Sequence, residues 1–401
     1  MTTMTATERH TPTVLRAAWL FDGTSSTLTA DPVVLLAGGT ITAVGPGTGL
    51  PEGATVVDLP GATLLPGLVD CHVHLAFDSS ADPVGRLAGR DDVAALAAMA
   101  AAGRTAVRGG VTTVRDLGDR GYLSLALREA AAVDPTLPTI VAAGPPITTP
   151  GGHCHYLGGA TIGVAGMRAA VRAHAERGVD VIKIMASGGN LTPGTRPELA
   201  QFGLAELRAA VQEAHRCGLP ITAHAHGTAA IAAAVQAGVD GLEHVSFMTA
   251  DGVDPAPPDL IRAIAEQRIV LGLTLGIVPV PGAAVPPAIA ARLPAIAANT
   301  RLLYQAGAPV VAGTDAGIAP VKPPDVLRWA VGHLTQIGLT AAEALRASTS
   351  QAATVCGLGH RKGRLAPGYD ADILAVDGNP LDDPAALHQI RAVYARGVRA
   401  A

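Results

Sequence analysis

Two histidines one residue apart, His72 and His74, end the apolar run Ala62-Thr-Leu-Leu-Pro-Gly-Leu-Val-Asp-Cys-His-Val-His74. The run is too short to cross a membrane and too apolar for a loop, so it predicts a buried strand. Side chains at i and i+2 of a strand share a face, so both imidazoles converge at its C-terminal end. Two neutral imidazoles on one face make half of a tetrahedral site for a metal such as zinc. A hydrogen-bonded pair of core histidines fits the same spacing, and the pair alone does not choose between the two.

Other apolar runs also end in polar residues. Lys183 lies inside Val-Asp-Val-Ile-Lys-Ile-Met, His224 and His226 repeat the i, i+2 spacing, Glu243 and His244 close a sixth run, and Asp315 closes the last in Gly-Thr-Asp-Ala-Gly. Burying an ammonium is costly unless it is paired or neutralised. Lys183 therefore reads either as a buried salt bridge, with Asp116 or Glu243, or as a neutral amine that has added carbon dioxide and can bridge two metals. Singly, one of His224 and His226 could serve the substrate, His244 could cap the next helix, and Asp315 could be an N-cap. Jointly, strand ends this polar point to a metal centre. With two ions bound, a bridging hydroxide forms near neutral pH and the pair polarises a substrate carbonyl.

From residue 62 to about 355, short apolar runs alternate with longer Ala-rich helical stretches. The runs 63–74, 111–117, 139–144, 180–186, 220–226, 240–245, 269–275 and 309–315 predict eight parallel strands, with helices such as 91–108, 167–177, 204–217 and 324–337 between them. The expected fold is α/β, a (β/α)8 TIM barrel over 62–356 whose chemistry sits at the C-terminal strand ends. Short β-rich runs fill 13–60 and return at 371–377 and 390–398. They predict a small discontinuous β-sandwich domain, composite from 1–61 and 357–401.

The 401 residues are 49% hydrophobic with a formal charge of −4, and their basic residues are scattered, so no stripe for a phosphate backbone exists. Aromatics at 3% give no base-stacking platform, and nucleic acid is excluded as a partner. Cys71, Cys154, Cys217 and Cys356 form no CxxC pair, which with the polar, signal-less stretch 1–12 predicts a cytoplasmic protein. The longest apolar stretches, such as 93–107, are charge-broken and read as buried helices rather than membrane spans.

These residues resemble the amidohydrolase superfamily almost end to end. His72 and His74 match its opening HxH, Lys183 its carboxylated bridging lysine, His224 and His244 its strand-five and strand-six ligands, and Asp315 its closing aspartate. The segment GRLAPGYDADIL (363–374) is similar to the one that re-enters the small β-domain. Three further stretches, GVTTVRDLG (110–118), GGHCHYLGG (151–159) and MASGGNLTPGTRPELAQFG (185–203), resemble imidazolonepropionase-like and Xaa-Pro dipeptidase-like members, ochratoxin-hydrolysing relatives included.

The resemblance implies two divalent metal ions, zinc foremost, with CO2-derived carboxylation of Lys183. His72, His74 and Asp315 would hold the more buried ion, His224 and His244 the other. It implies hydrolysis of an amide in a small molecule with a free carboxylate, such as an N-acyl amino acid, an Xaa-Pro dipeptide or an ochratoxin-type amide, by a homo-oligomer. Asp315 would take a proton from the bridging water and pass it to the leaving amine. The position of His226, near the substrate, is often Tyr in dipeptidase-like members, so the resemblance does not by itself carry a prolidase specificity. His153 and His155 could bind an oxyanion or carboxylate. Arg115 reads as a carboxylate clamp or buried support, and Arg196 lies on a loop that could close over the site. A mononuclear imidazolone-type ring hydrolase or deaminase is disfavoured by Lys183 and by the lack of His-x-x-Glu after strand five. A lactone or ester hydrolase would use the same residues. A non-catalytic scaffold would be expected to have lost ligands, and here every ligand position is filled.

Overall fold

The computed structural model describes residues 11–47, 49, 51–282 and 285–401, so most of the stretch 1–12 expected to lack a signal lies outside the described residues. Five strands open the chain: β1 (Thr13–Leu20), β2 (Thr29–Ala30), β3 (Val33–Ala37), β4 (Thr40–Gly45) and β5 (Thr55–Pro66). Eight more alternate with helices: β6 (Leu68–Val73), β7 (Val111–Asp116), β8 (Thr139–Ala142), β9 (Ile182–Met185), β10 (Ile221–Ala225), β11 (Gly241–His244), β12 (Val270–Thr274) and β13 (Val310–Gly313). The last three are β14 (Ile373–Asp377), β15 (Ile390–Ala395) and β16 (Val398–Arg399).

The two chain ends meet in one sheet of order β16-β15-β14-β5-β1-β3-β4, with β2 paired to β1. Leu15, Val34, Ile41, Leu64, Ile373 and Tyr394 form its own buried cluster. The middle strands form two parallel sheets, β6-β7-β8 and β9 to β13 in chain order. Isolated parallel bridges, Val73 to Ala316 and Ile147 to Ile184, connect one sheet to the other. Every residue of β6, β7 and β10 is buried, as parallel strands covered on both faces require. Helix Asp92–Arg108 begins where the Asp91 side chain accepts from the Ala94 amide. Helix Leu204–Arg216 buries the stripe Leu207, Ala210, Val211 and Ala214.

All eight expected runs contain a strand, with one correction. The run expected as a single strand over 63–74 is two: β5 pairs antiparallel with β14 as far as Pro66, and β6 starts a parallel sheet at Leu68. Gly67 is the joint. A Cβ there would lie 2.2 Å from Thr112 Oγ1, so only glycine lets the chain pass β7 this closely as it changes sheets. The small sheet therefore reaches Pro66, beyond the expected boundary at 61. Among the described residues no helix is long and apolar enough to cross a membrane.

Candidate metal centre

His72 on β6 and His74 just after it each have one ring nitrogen fixed by an acceptor. His72 Nδ1 lies 2.9 Å from Glu243 Oε2, and His74 Nδ1 lies 3.1 Å from the Gly118 carbonyl oxygen. Each Nδ1 therefore carries the proton, and each Nε2 is left with its lone pair. These two Nε2 atoms lie 3.3 Å apart, and Asp315 Oδ1 lies 3.4 and 3.2 Å from them. Three acceptors crowd one point with no proton between them, an arrangement that calls for a cation. Burial opposes protonation of His74, yet the Asp315 carboxylate overrides it and draws the ring's pKa upward, so the cluster attracts positive charge. Burial would raise Asp315, but His72 and His74 hold it well below the usual carboxylate range.

A second group adjoins the first. Ligand atoms of His224, His226 and His244 lie within 4.8 Å of one another. His224 Nε2 faces the Gly188 carbonyl oxygen at 3.0 Å, His244 Nδ1 faces Thr274 Oγ1 at 2.9 Å, and His226 Nδ1 faces Ser246 Oγ at 2.7 Å. Burial and the neighbouring rings push His224 and His244 well below the ordinary imidazole range, and burial brings His226 to about 4. Neutral rings are the state that ligates a metal. The rings of His72 and His244, 5.1 Å apart, join the two groups.

Lys183 on β9 lies beside both. Its Nζ is 3.5 Å from His72 Nε2, and among the described residues no carboxylate comes within ion-pair distance of it. The salt bridge to Asp116 or Glu243 is thus absent. Burial pushes its pKa down to about 8, against the pull of Glu243 and Asp315. A buried amine this easily neutralised is a nucleophile for carbon dioxide.

Sequence reasoning offers Glu243 only as a salt-bridge partner for Lys183, and the structure gives it other partners. Its Oε2 orients His72, and its Oε1 accepts from Arg115 Nη2 at 2.9 Å and Thr222 Oγ1 at 2.7 Å. Burial opposes its charge, but Arg115 and His72 outweigh burial and hold it down to about 2. Arg115 also donates to the Cys71 carbonyl oxygen at 2.7 Å, so the guanidinium braces Glu243 and β6. That geometry corrects the carboxylate-clamp reading of Arg115 in favour of buried support.

The remaining expectations divide. His153 is buried, its ring 4.8 Å from that of His224, and its Nδ1 has no hydrogen-bond partner. A Cβ on Gly189 would lie 2.4 Å from His153 Nε2, so glycine makes room for the ring. His155 is exposed with Nδ1 turned onto the Gly152 carbonyl oxygen, and Arg196 is exposed and paired with Glu198 at 2.6 Å. Neither side chain joins the cluster, because each is held by its own loop. His244 and Asp315 cap no helix. Both hold left-handed backbone, with φ of 71° and 62°, at a cost of about 1–3 kcal/mol each that such residues tolerate mainly at functional sites.

Imidazoles, a lysine and a carboxylate thus gather where parallel strands end. The chain belongs to the amidohydrolase family, whose model matches residues 63–399, and it is a hydrolase acting on carbon–nitrogen bonds. It is 31% identical to the ochratoxinase of Aspergillus niger over 82% of this chain and 73% of that protein. It is 28% identical to an imidazolonepropionase of Deinococcus deserti over 92% of each. Among solved structures it resembles a Xaa-Pro dipeptidase with bound methionine (TM-score 0.84, 26% identity, 97% of this chain and 99% of that one). It also resembles the A. niger ochratoxinase structure (TM-score 0.81, 25% identity, 97% and 95%).

Proposed function

We propose that the protein is a binuclear metal-dependent amidohydrolase that cleaves the amide bond of a small molecule with a free carboxylate. The observation that carries this reading is the convergence of two imidazole lone pairs and a carboxylate oxygen on one point, with no proton to share. His72, His74 and Asp315 would hold one divalent ion, zinc foremost, and His224 and His244 the other. Lys183 would bridge them once its neutral Nζ has bonded to the carbon of CO2 and lost a proton, giving a carbamate anion. Bound there, the ions would supply Lewis acidity and an ionised water near neutral pH.

The chain's own residues do the rest. Asp315, held ionised, accepts the proton of the attacking water and returns it to the leaving nitrogen. Glu243 and the Gly118 carbonyl keep His72 and His74 in the tautomer that presents Nε2. His153, with its unpartnered Nδ1, and His226 face the substrate's oxyanion or carboxylate. The printed activities of the relatives, ochratoxinase and Xaa-Pro dipeptidase, support an N-acyl amino acid or dipeptide-like amide.

The bridges at both sheet junctions support a closed (β/α)8 barrel, and the separate core of the terminal sheet supports a β-sandwich domain folded from both chain ends. Cys71, Cys154, Cys217 and Cys356 are all free thiols, with the Cys71 and Cys356 sulfurs hydrogen-bonded at 3.9 Å rather than joined as a disulfide, which fits the cytoplasm. The reading includes a homo-oligomer.

Metal analysis of the purified protein should find two equivalents per chain. Removing them with a chelator should abolish hydrolysis across a panel of N-acyl amino acids, Xaa-Pro dipeptides and ochratoxin-like amides, and adding zinc with bicarbonate should restore it. One equivalent would favour the ring hydrolase or deaminase. Two equivalents with lactone or ester turnover alone would shift the substrate class.

A further inference from the structure

Lys322, on the loop after β13, is the one half-buried ammonium near the centre that the reaction above does not use. Among the described residues no carboxylate lies within ion-pair distance of it. Its Nζ donates instead to the carbonyl oxygens of Thr274 at 3.1 Å and Leu275 at 3.2 Å, where β12 ends. The hydroxyl of that same Thr274 lies 2.9 Å from His244 Nδ1. The lysine's own carbonyl accepts from the Gly317 amide at 2.8 Å and from Ser79 Oγ at 2.9 Å. One residue thus ties together the segments that follow β6, β12 and β13. Asp315 and Asp70 are the carboxylates whose charge acts on the ammonium.

An ammonium held by neutral carbonyls is an expensive way to close a loop, since a shorter polar side chain or a backbone amide would do so without burying charge. What the ammonium adds is a firm grip on Thr274. That residue's hydroxyl, 2.9 Å from Nδ1, holds the direction in which the His244 ring turns.

We propose that Lys322 is a positioning residue of the second metal site, acting through Thr274 on His244. The inference rests on His244 being a ligand, as proposed above.

The test titrates zinc into chelator-stripped full-length protein against a chromophoric competitor. His244→Ala identifies which of the two binding steps belongs to that histidine. Lys322→Met and Thr274→Val should each weaken that step about 10–100-fold, the usual effect of losing a ligand's orienting partner, and leave the other step within about twofold. Lys322→Arg, which can still donate to both carbonyls, should recover most of the loss. The cobalt-loaded protein should show a changed visible spectrum in the Met variant and a near-native one in the Arg variant.

Unchanged affinities in Lys322→Met would overturn the proposal. So would an equal loss in both steps with a lowered melting temperature, which marks a clasp for the fold alone. Wild-type protein that takes up a single equivalent would overturn the binuclear reading and this inference together, before any variant is made.

Discussion

Asp315→Asn should lower kcat/KM for amide hydrolysis by about 10²–10⁴-fold, the range for removing a positioned general acid–base group. Asn keeps the shape of the side chain and one ligating oxygen, and it tolerates the left-handed backbone that Asp315 adopts at φ 62°. It cannot hold a negative charge against His72 and His74 or accept a proton. The folded state should therefore survive while the reaction stops. Steady-state kinetics with thermal melting and metal content checks this, and activity within a few-fold of wild type would remove Asp315 from its proposed role.

The second large effect belongs to a residue that touches no substrate. Glu243→Ala would leave the Arg115 guanidinium, 5% exposed, without its carboxylate, and breaking a buried pair in this way costs about 3–5 kcal/mol. The same change would free the His72 ring from its 2.9 Å contact and weaken metal binding about 10–100-fold. Denaturant midpoints and zinc titration read the two effects separately. Glu243→Gln fills the same space beside Gly272, where a Cβ would come within 2.0 Å of Oε2, but its one amide oxygen can accept from Arg115 or from His72 and not from both, because its amide nitrogen only donates. It should recover part of the stability and less of the affinity. A Gln variant equal to wild type in both would show that the charge of Glu243 is dispensable.

Much of this centre is legible in the chain because strands make it so. The i, i+2 rule brings His72 and His74 together, and an ammonium inside Ile-Lys-Ile-Met has few innocent explanations. The same rule applied to His224 and His226 places both rings on one side, and all three rings of the second group do meet. Glu243 was harder to read. His244 is the last residue of β11, where φ of 71° ends the regular alternation, so strand periodicity could not assign directions to that adjacent pair. The signal available was a carboxylate in Gly-Leu-Glu-His, buried in a strand with no cation beside it in sequence. Its partner Arg115 lies 128 residues away, and no local pattern links the two. Lys322 and the His153 loop act through irregular backbone, whose geometry follows from tertiary packing rather than from residue type. The end of β5 escaped for a simpler reason: an apolar run that crosses from one sheet to another looks like one strand.

That crossing has a temporal consequence. β5 leads through Gly67 into the strand that carries His72, and its partner β14 is encoded far downstream; the contact from Thr63 Oγ1 to the Gly378 carbonyl oxygen spans 315 residues. At a synthesis rate of about 5–20 residues per second, a nascent chain would hold that edge of β5 open for about 16–63 s. Leu64 and Leu65 lie along this unpaired edge, an apolar template for strand addition from another chain. His72 and Asp315 likewise cannot meet until synthesis has passed Asp315. Any metal site built from them is completed only after that point, and yield in a heterologous host should depend on chaperone capacity during the interval.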